Sequence, residues 1–470
     1  MIRLAIFLAI LMTQILGFAQ ESTLELDLDT ALKIALENNL DVERSNLRAQ
    51  TSDIEFKQTQ NARLPSLNGN YNFGLNNGRS IDPFTNTFIE EELTFSSARL
   101  SLEATIFNGF QIRNRIQCDR FNLQAAEAEV EQAKQEMVLN VTLAYFQILN
   151  NKDLLKLAKS RKQSTLQQLD RLKSLNEEGQ GNPANYTDIL GQIANDNSTI
   201  ADAENNLKAS KLELIRLLNI DSDIDVSPRE LVDEPTIYQY SATEVFEESL
   251  ENLATFKAGE LRIKAAEKDI QVSKSLYSPE VSFFAQLNTN FSSLATLFNE
   301  SGTQIVETNQ FVNIGGDSFS VFSEQTNFLS ERIAYQEQLI NNLNSNIGVA
   351  LRIPIFNGFR AKNTVALQKI VLEEQKVEYQ RIFNEFKQAI QEAHNDMQTA
   401  YAKFLIFKEQ VQAYAESFRV NEIRFNNGVS NIVEYIISKN NLDNAKINLA
   451  NARYEYIFRT KILDYYRGMS

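Results

Sequence analysis

The chain of 470 residues has no Trp, one Cys, one His, 7 Pro and 16 Gly. With Cys118 alone, no intrachain disulfide can form and no Cys-based zinc site exists. With His394 alone, a His-rich metal site is excluded, and so is a Ser-His-Asp triad that does not use His394 itself. Cys118 reads as a small buried hydrophobe, and His394 as a residue on a long polar helix. Basic residues are in deficit, 46 Lys and Arg against 61 Asp and Glu, for a net charge of −15. Most of such a surface repels a phosphate backbone, so nucleic acid is excluded as a partner. Gly-x-Ser-x-Gly, His-Glu-x-x-His and a P-loop are all missing, which speaks against an enzyme and calls for no cofactor or metal. Hydrophobic residues make up 43% and charged residues 23%, a foldable composition. Scarce helix breakers in such a chain imply long helices.

Residues 1–19 read as a secretory signal. Arg3 supplies the positive start, Leu4 to Leu16 is almost wholly apolar, and Gly17-Phe18-Ala19 puts small residues before a cut ahead of Gln20. The apolar run is shorter than the roughly 20 residues a spanning helix needs. No Cys follows the cut to carry a lipid, and no later stretch is apolar enough to span as a helix. The expected mature protein is exported. It is either soluble in the periplasm or crosses a membrane without apolar helices.

The chain repeats itself. Asn38, Arg48 and Pro65 recur as Asn252, Arg262 and Pro279, 214 positions later; Ile106-Phe107-Asn108-Gly109-Phe110 recurs as Ile355-Phe356-Asn357-Gly358-Phe359, 249 later. Gly179 and Tyr186 return as Gly428 and Tyr435 at the same 249. The change of offset places one net insertion of 35 residues between Pro279 and Ile355. The expected organisation is a signal (1–19), a first repeat (20–226), a linker (227–241) and a second repeat (242–470) with a longer loop at 290–345.

Each repeat reads as helix, strand, loop, strand, very long helix, turn and return helix. The first helices are expected over 28–62 and 242–276. The second opens with the capping box Ser241-x-x-Glu244, with Tyr240 and Val245 as its staple. Pro65 and Pro279 mark the switch to strand. Strands are expected over 67–76, 98–107, 281–288 and 346–355. In 98–107, Leu100, Leu102, Ala104 and Ile106 alternate with Arg99, Ser101, Glu103 and Thr105. Phe284 is the one exception to the alternation in 281–288. Segments of about 9–11 residues with one apolar and one polar face are the mark of transmembrane β-strands, and also of a half-buried sheet in a soluble domain. Long helices without Pro are expected over 109–178 and 360–426, each on the order of 100 Å, too long for one globular core. Gly179 and Gly428 supply their stops. Return helices follow over 183–219, with Asn182 as N-cap and Pro183 at N1, and over 431–467, from Ser430 or Asn431.

Lipid tolerates strands only in a closed barrel, and four strands cannot close alone. Two copies would give eight strands and three would give 12; the residues alone leave both open.

On the duplication, the paired Ile-Phe-Asn-Gly-Phe motifs, the segment from Arg424 to Ser430, and Asn444-Ala445-Lys446 with Ala450-Asn451-Ala452-Arg453-Tyr454, the chain resembles the TolC-like family of outer-membrane efflux channels over essentially its whole mature length. The resemblance implies a mainly α fold with a small β part. A homotrimer would close a 12-stranded barrel in the outer membrane of a Gram-negative bacterium, in contact with its lipid, and an α-helical barrel would extend into the periplasm. It implies a passive exit duct for a tripartite efflux or type I secretion system. Its closed tip would dock a periplasmic adaptor and an inner-membrane pump of the RND or ABC type. Gate and adaptor site would be the helix-turn-helix tips at 172–189 and 421–437, with Gly179, Asn182, Pro183, Asn185, Asp188, Phe425, Gly428, Ser430 and Glu434. Glu434 falls on the first of two inward acidic positions that form selectivity rings in the family. The second falls on Ile437, and the family's locking Arg falls on Ser430. In the first tip the acidic position falls on Asn185, with Asp188 one turn on. Glu434 reads equally as the N3 residue of the return helix.

Arg99, Glu103 and Arg352 are expected in the barrel lumen. Glu103 and Arg352, 249 apart, would either neutralise each other across neighbouring strands or stand as separately hydrated charges. Loop 290–345 reads as a tolerated surface insertion rather than a lid, with Gly315-Gly316-Asp317 as a turn. The rival reading is a soluble periplasmic coiled-coil scaffold. Drug, metal and protein cargoes all stay open.

Overall fold

A computed structural model of the protein describes residues 24–83, 85–179, 182–226 and 234–469. The signal segment 1–19 and linker residues 227–233 lie outside them. The first repeat comprises β1 (Leu24–Leu26), α1 (Leu28–Asn38), α2 (Leu40–Asn61), β2 (Ser66–Asn76), β3 (Ser80–Ile81), β4 (Phe88–Ile89), β5 (Leu93–Asn108), α3 (Gln111–Glu177), α4 (Pro183–Leu218) and β6 (Ile224–Val226). The second comprises α5 (Ala242–Asn252), α6 (Ala254–Lys274), β7 (Glu280–Ser292), β8 (Thr296–Ile314), β9 (Asp317–Arg332), α7 (Tyr335–Asn341), β10 (Asn344–Arg352), α8 (Arg360–Asn426) and α9 (Ile432–Tyr466). The copies match closely. α1 and α5 have 11 residues each, α3 and α8 have 67 each, and α4 and α9 have 36 and 35.

Three expectations need correction. The first helix of each repeat is broken. Asn39 turns extended (ψ 125°) while its amide still bonds Ala35 O at 2.9 Å. Its Oδ1 accepts from the amides of Asp41 (3.0 Å) and Val42 (3.2 Å), so one side chain opens α2 where α1 ends. In the second repeat buried Leu253 makes the same break, and Gln135 Oε1 takes the freed Ala254 amide at 3.4 Å. Next, β10 stops at Arg352 instead of 355, since Pro354 has no amide to donate. Finally, the stretch 290–345 is not a loop. β8 and β9 form a long antiparallel hairpin whose turn is Gly315-Gly316, both at positive φ. The capping box at Ser241 and Glu244 stands as expected. Ser241's amide and hydroxyl hold the Glu244 carboxyl below its ordinary range.

The chain divides into a helical unit (1–54, 119–266 and 371–470) and a strand unit (55–118 and 267–370). Within the helical unit the duplication reappears as two cores. One gathers Ala31, Val141, Ile148 and Leu214 with Leu26, Ile224 and Val226. The other gathers Val245, Ile390, Met397 and Leu463, which stand at the repeat-equivalent positions. The parallel pair β1–β6 clips the two ends of the first repeat together beside the first core. His394 sits partly exposed on α8, with Nε2 3.2 Å from Tyr240 O, and Cys118 is buried.

Within the strand unit the main sheet is antiparallel, in the order β10-β7-β5-β2. Directly opposed residues share a face, so the register sorts the side chains. Asn68, Asn70, Arg99, Ser101, Gln286, Asn288 and Asn346 fall on one face; Leu67, Tyr71, Leu100, Leu102, Ala285, Leu287 and Ile347 fall on the other. Phe284 breaks the pattern because it lies over Gly348, where an added Cβ would come within 2.6 Å of its ring. Phe95 covers Gly74 in the same way, at 2.7 Å. Each glycine lies on an edge strand and lends its space to a ring on the polar face. Gly348→Val is therefore expected to cost about 1–3 kcal/mol by overpacking. Thermal unfolding should show most of that loss restored in the Gly348→Val, Phe284→Ala double variant. A single variant as stable as the parent would contradict the stacking.

Candidate functional site

The sheet is a wall, and among the described residues much of its apolar side is left uncovered. Leu67, Phe73, Ile347, Val349 and Leu351 are 62–69% exposed. So contiguous an apolar face does not stay in water. Among the described residues the two edge strands, β2 and β10, have no strand on their outer sides. At one end of the wall Tyr335 of α7 places its hydroxyl 3.2 Å from those of Tyr71 and Ser96, with its ring 4.8 Å from Phe291. At the other end stand Phe107, Phe110, Phe356 and Phe359. Aromatic girdles bounding an apolar band are what a bilayer's two interfaces select. Among the described residues no helix is long and apolar enough to cross a membrane.

The Ile-Phe-Asn-Gly-Phe motifs make the turn from strand to long helix. In both copies the Gly and the Phe after it are left-handed: φ 64° and 62° at Gly109 and Phe110, 63° and 60° at Gly358 and Phe359. A Phe in that region is costly. Its ring stacks edge-on against the first Phe of the motif, at 5.4 Å for Phe107–Phe110 and 5.6 Å for Phe356–Phe359.

Of the residues expected in the lumen, Arg99 lies on the polar face, its Nε 2.8 Å from Asn288 Oδ1. Glu103 and Arg352 are not brought together. β7 separates their strands, Glu103 lies level with Phe284 and Gly348, and Arg352 lies opposite Glu280. Repeat equivalence counts residues along the chain, whereas tilted strands are staggered across a sheet. The charge opposed to Arg352 is thus one the sequence reading passed over.

The tips lie in the helical unit. Gly428 (φ 71°) ends α8 in a Schellman turn, with its amide on Phe425 O (3.0 Å) and that of Val429 on Arg424 O (2.9 Å). Gly179 (φ 77°) ends the first long helix likewise in the left-handed region. Asn182 caps α4 through Ala184 N at 3.0 Å, with Pro183 at N1, and Asn185 N bonds Asn182 O at 3.1 Å. Asn431 caps α9 through Glu434 N at 2.9 Å. The Glu434 carboxylate accepts from Ser430 Oγ at 2.5 Å and stands 3.8 Å from Arg424 Nη1. Glu434 thus stands at N3 of α9, with its carboxylate on the side chains of Ser430 and Asn431 rather than on the cap's backbone amide. Asp188 is exposed. The tips pack on each other: Leu172 and Ile189 of the first meet Ile432 and Tyr435 of the second, with Phe425 stacked at 5.1 Å on Tyr435. Arg171 Nη2 donates to Asn426 O at 2.8 Å, a cation on the carbonyl end of α8.

Above the tips lies a charge cluster the sequence reading missed. Arg161 Nε is 2.8 Å from Asp196 Oδ1 and 3.6 Å from Asp443 Oδ2; Lys439 Nζ is 2.8 Å from the same Asp443 oxygen. Asp196 is fully buried and also accepts from Thr165 Oγ1 (2.5 Å) and Gln192 Nε2 (2.9 Å). Two cations and two carboxylates thereby tie α3, α4 and α9. A signal existed: Asp196 continues the Ile189, Ile193 stripe at helical spacing, and Lys439 sits between Tyr435 and Leu442.

Residues 31–219 and 330–460 match the family described as Outer membrane efflux protein. The chain belongs to that family. Over 421 residues it is 21% identical to Outer membrane protein TolC of Vibrio cholerae serotype O1, which covers 87% of this chain and 84% of that protein. The fold matches the crystal structure of CusC at TM-score 0.75 and 15% identity, over 94% of this chain and 92% of that one. It matches the Campylobacter jejuni CmeC outer membrane channel at 0.72 and 15%, over 94% and 85%. As an outer membrane efflux protein the chain is a conduit, not an enzyme and not a soluble scaffold. Its place in the outer membrane accounts for the bare apolar wall. The first matched segment covers most of the first repeat; the second begins near the end of β9, so α5, α6, β7 and nearly all of the β8–β9 hairpin lie outside it.

Proposed function

We propose that three copies close β10 of each onto β2 of the next, giving a 12-stranded barrel that forms the exit duct of a tripartite efflux or type I secretion system. The observation that carries this is the four-stranded wall with one polar face, one bare apolar face and two unpartnered edges. Lipid admits such edges only in a closed ring, and four strands are too few to make one. Arg99, Glu103 and Arg352 then face the lumen. The tips formed by Gly179 to Asp188 and Phe425 to Glu434 lie at the periplasmic end and receive an adaptor that links the duct to an RND or ABC pump.

In a threefold ring three Glu434 carboxylates would stand near the axis, and like charges at close quarters share a counter-ion. The purified protein in a planar bilayer is expected to conduct and to be blocked by divalent cations added on the tip side. Glu434→Gln should remove most of that block while keeping the hydrogen bond from Ser430. Block unchanged in that variant would contradict the ring; no conductance at all would contradict the duct.

A further inference from the structure

Among the described residues the β8–β9 hairpin forms a two-stranded sheet of its own, with no other strand paired to either member. Its fifteen paired rows run from Thr296–Arg332 to Ile314–Asp317. A two-stranded hairpin alone is marginally stable in water. This one also exposes large apolar side chains on both faces. Phe298, Phe322 and Phe328 share one face, Leu297, Phe319 and Leu329 the other, all 51–66% exposed.

Natural sheets guard free edges with Lys, Pro or bulges. Residues 296–332 contain neither Lys nor Pro. β8 has two irregularities, between Glu300 and Gly302 and between Glu307 and Phe311, but β9 is uninterrupted over Asp317–Arg332. Its free edge is open to another strand.

We propose that these hairpins join edge to edge around the ring of copies, β9 of one along the unbroken 302–307 stretch of β8 in the next. The inference rests on the three-copy barrel proposed above. β9 leads through α7 straight into β10, the strand that the ring presents to the neighbour, so each hairpin is carried around the same ring. Head-to-tail contacts of this kind close when the rotation closes. A lipid surface is a poor occupant. Glu300, Glu307 and Glu324 interrupt the Phe298 face, and Arg332 is the single basic residue against five acidic ones. Repulsion among those carboxylates is screened beyond about 8 Å at physiological salt.

Hydrogen exchange on the full-length protein, purified in detergent and of known particle mass, tests this. In a paired crown the β9 amides that point away from β8 are protected, with exchange slowed on the order of 100-fold or more. In a free hairpin they exchange nearly as fast as in an unfolded peptide. A second variant replaces 296–332 by a Gly-Gly turn between Ala295 and Ile333, which already bond at 3.1 Å. It should still give the three-chain particle, dissociating at a lower temperature. A three-chain particle with fast outward amides overturns the crown and leaves the barrel standing. So does protection seen only in intact outer membranes, which would mean another molecule covers the edge. A particle that is not three chains overturns the barrel itself.

Discussion

Asp196→Ala is expected to destabilise the protein by about 3–5 kcal/mol, the usual cost of stripping one partner from a buried ion pair. The carboxylate is fully buried, and three groups converge on it: Arg161 at 2.8 Å, Gln192 at 2.9 Å and Thr165 at 2.5 Å. Its loss leaves Arg161 with Asp443 at 3.6 Å, a carboxylate already held by Lys439. Asp196→Asn keeps an acceptor for Thr165 but loses the charge, and should cost about 1–3 kcal/mol. Thermal or denaturant unfolding of the detergent-extracted protein measures both. A loss under about 1 kcal/mol for the Ala variant would mean the site is wet and its charges screened.

The two Asn-Gly-Phe turns supply a matched comparison. Gly109 and Gly358 have the same sequence around them and nearly the same φ, 64° and 63°. A Cβ at Gly109 would overlap Ser278 Cβ and lie 2.6 Å from Ser278 Oγ and 3.2 Å from Ser275 O; a Cβ at Gly358 meets nothing within 4 Å of its own chain. Gly358→Ala should therefore cost about 1 kcal/mol, the left-handed term alone. Gly109→Ala adds overpacking against a fixed turn and should cost about 3 kcal/mol. Unfolding of the two variants side by side checks the difference, and equal losses would contradict the packing at Ser278.

What was legible in the sequence follows from period and punctuation. The long helices show because 67 residues pass without a Pro, and the Gly stops and Asn caps mark their ends. The wall shows because its strands alternate, and the exception at Phe284 needed its neighbour: only the register reveals Gly348 opposite. The hairpin was illegible as strand because its apolar residues sit on both faces and follow no period of two. Asn39 and Leu253 broke helices by side-chain bonding and burial, which periodicity does not report. The pairing of Glu103 with Arg352 failed because stagger across a sheet is invisible along a chain. The buried charges were in view as polar residues on apolar stripes, but which helices they join depends on packing.

The central claim is that three chains close one barrel. The most direct test is the mass of the native particle extracted from outer membranes in mild detergent. The expected result is three chains per particle, released only with detergent, because the face bearing Leu67, Phe73, Ile347 and Leu351 must stay out of water. A monomer or dimer that dissolves without detergent would contradict both the closed ring and the membrane-facing wall.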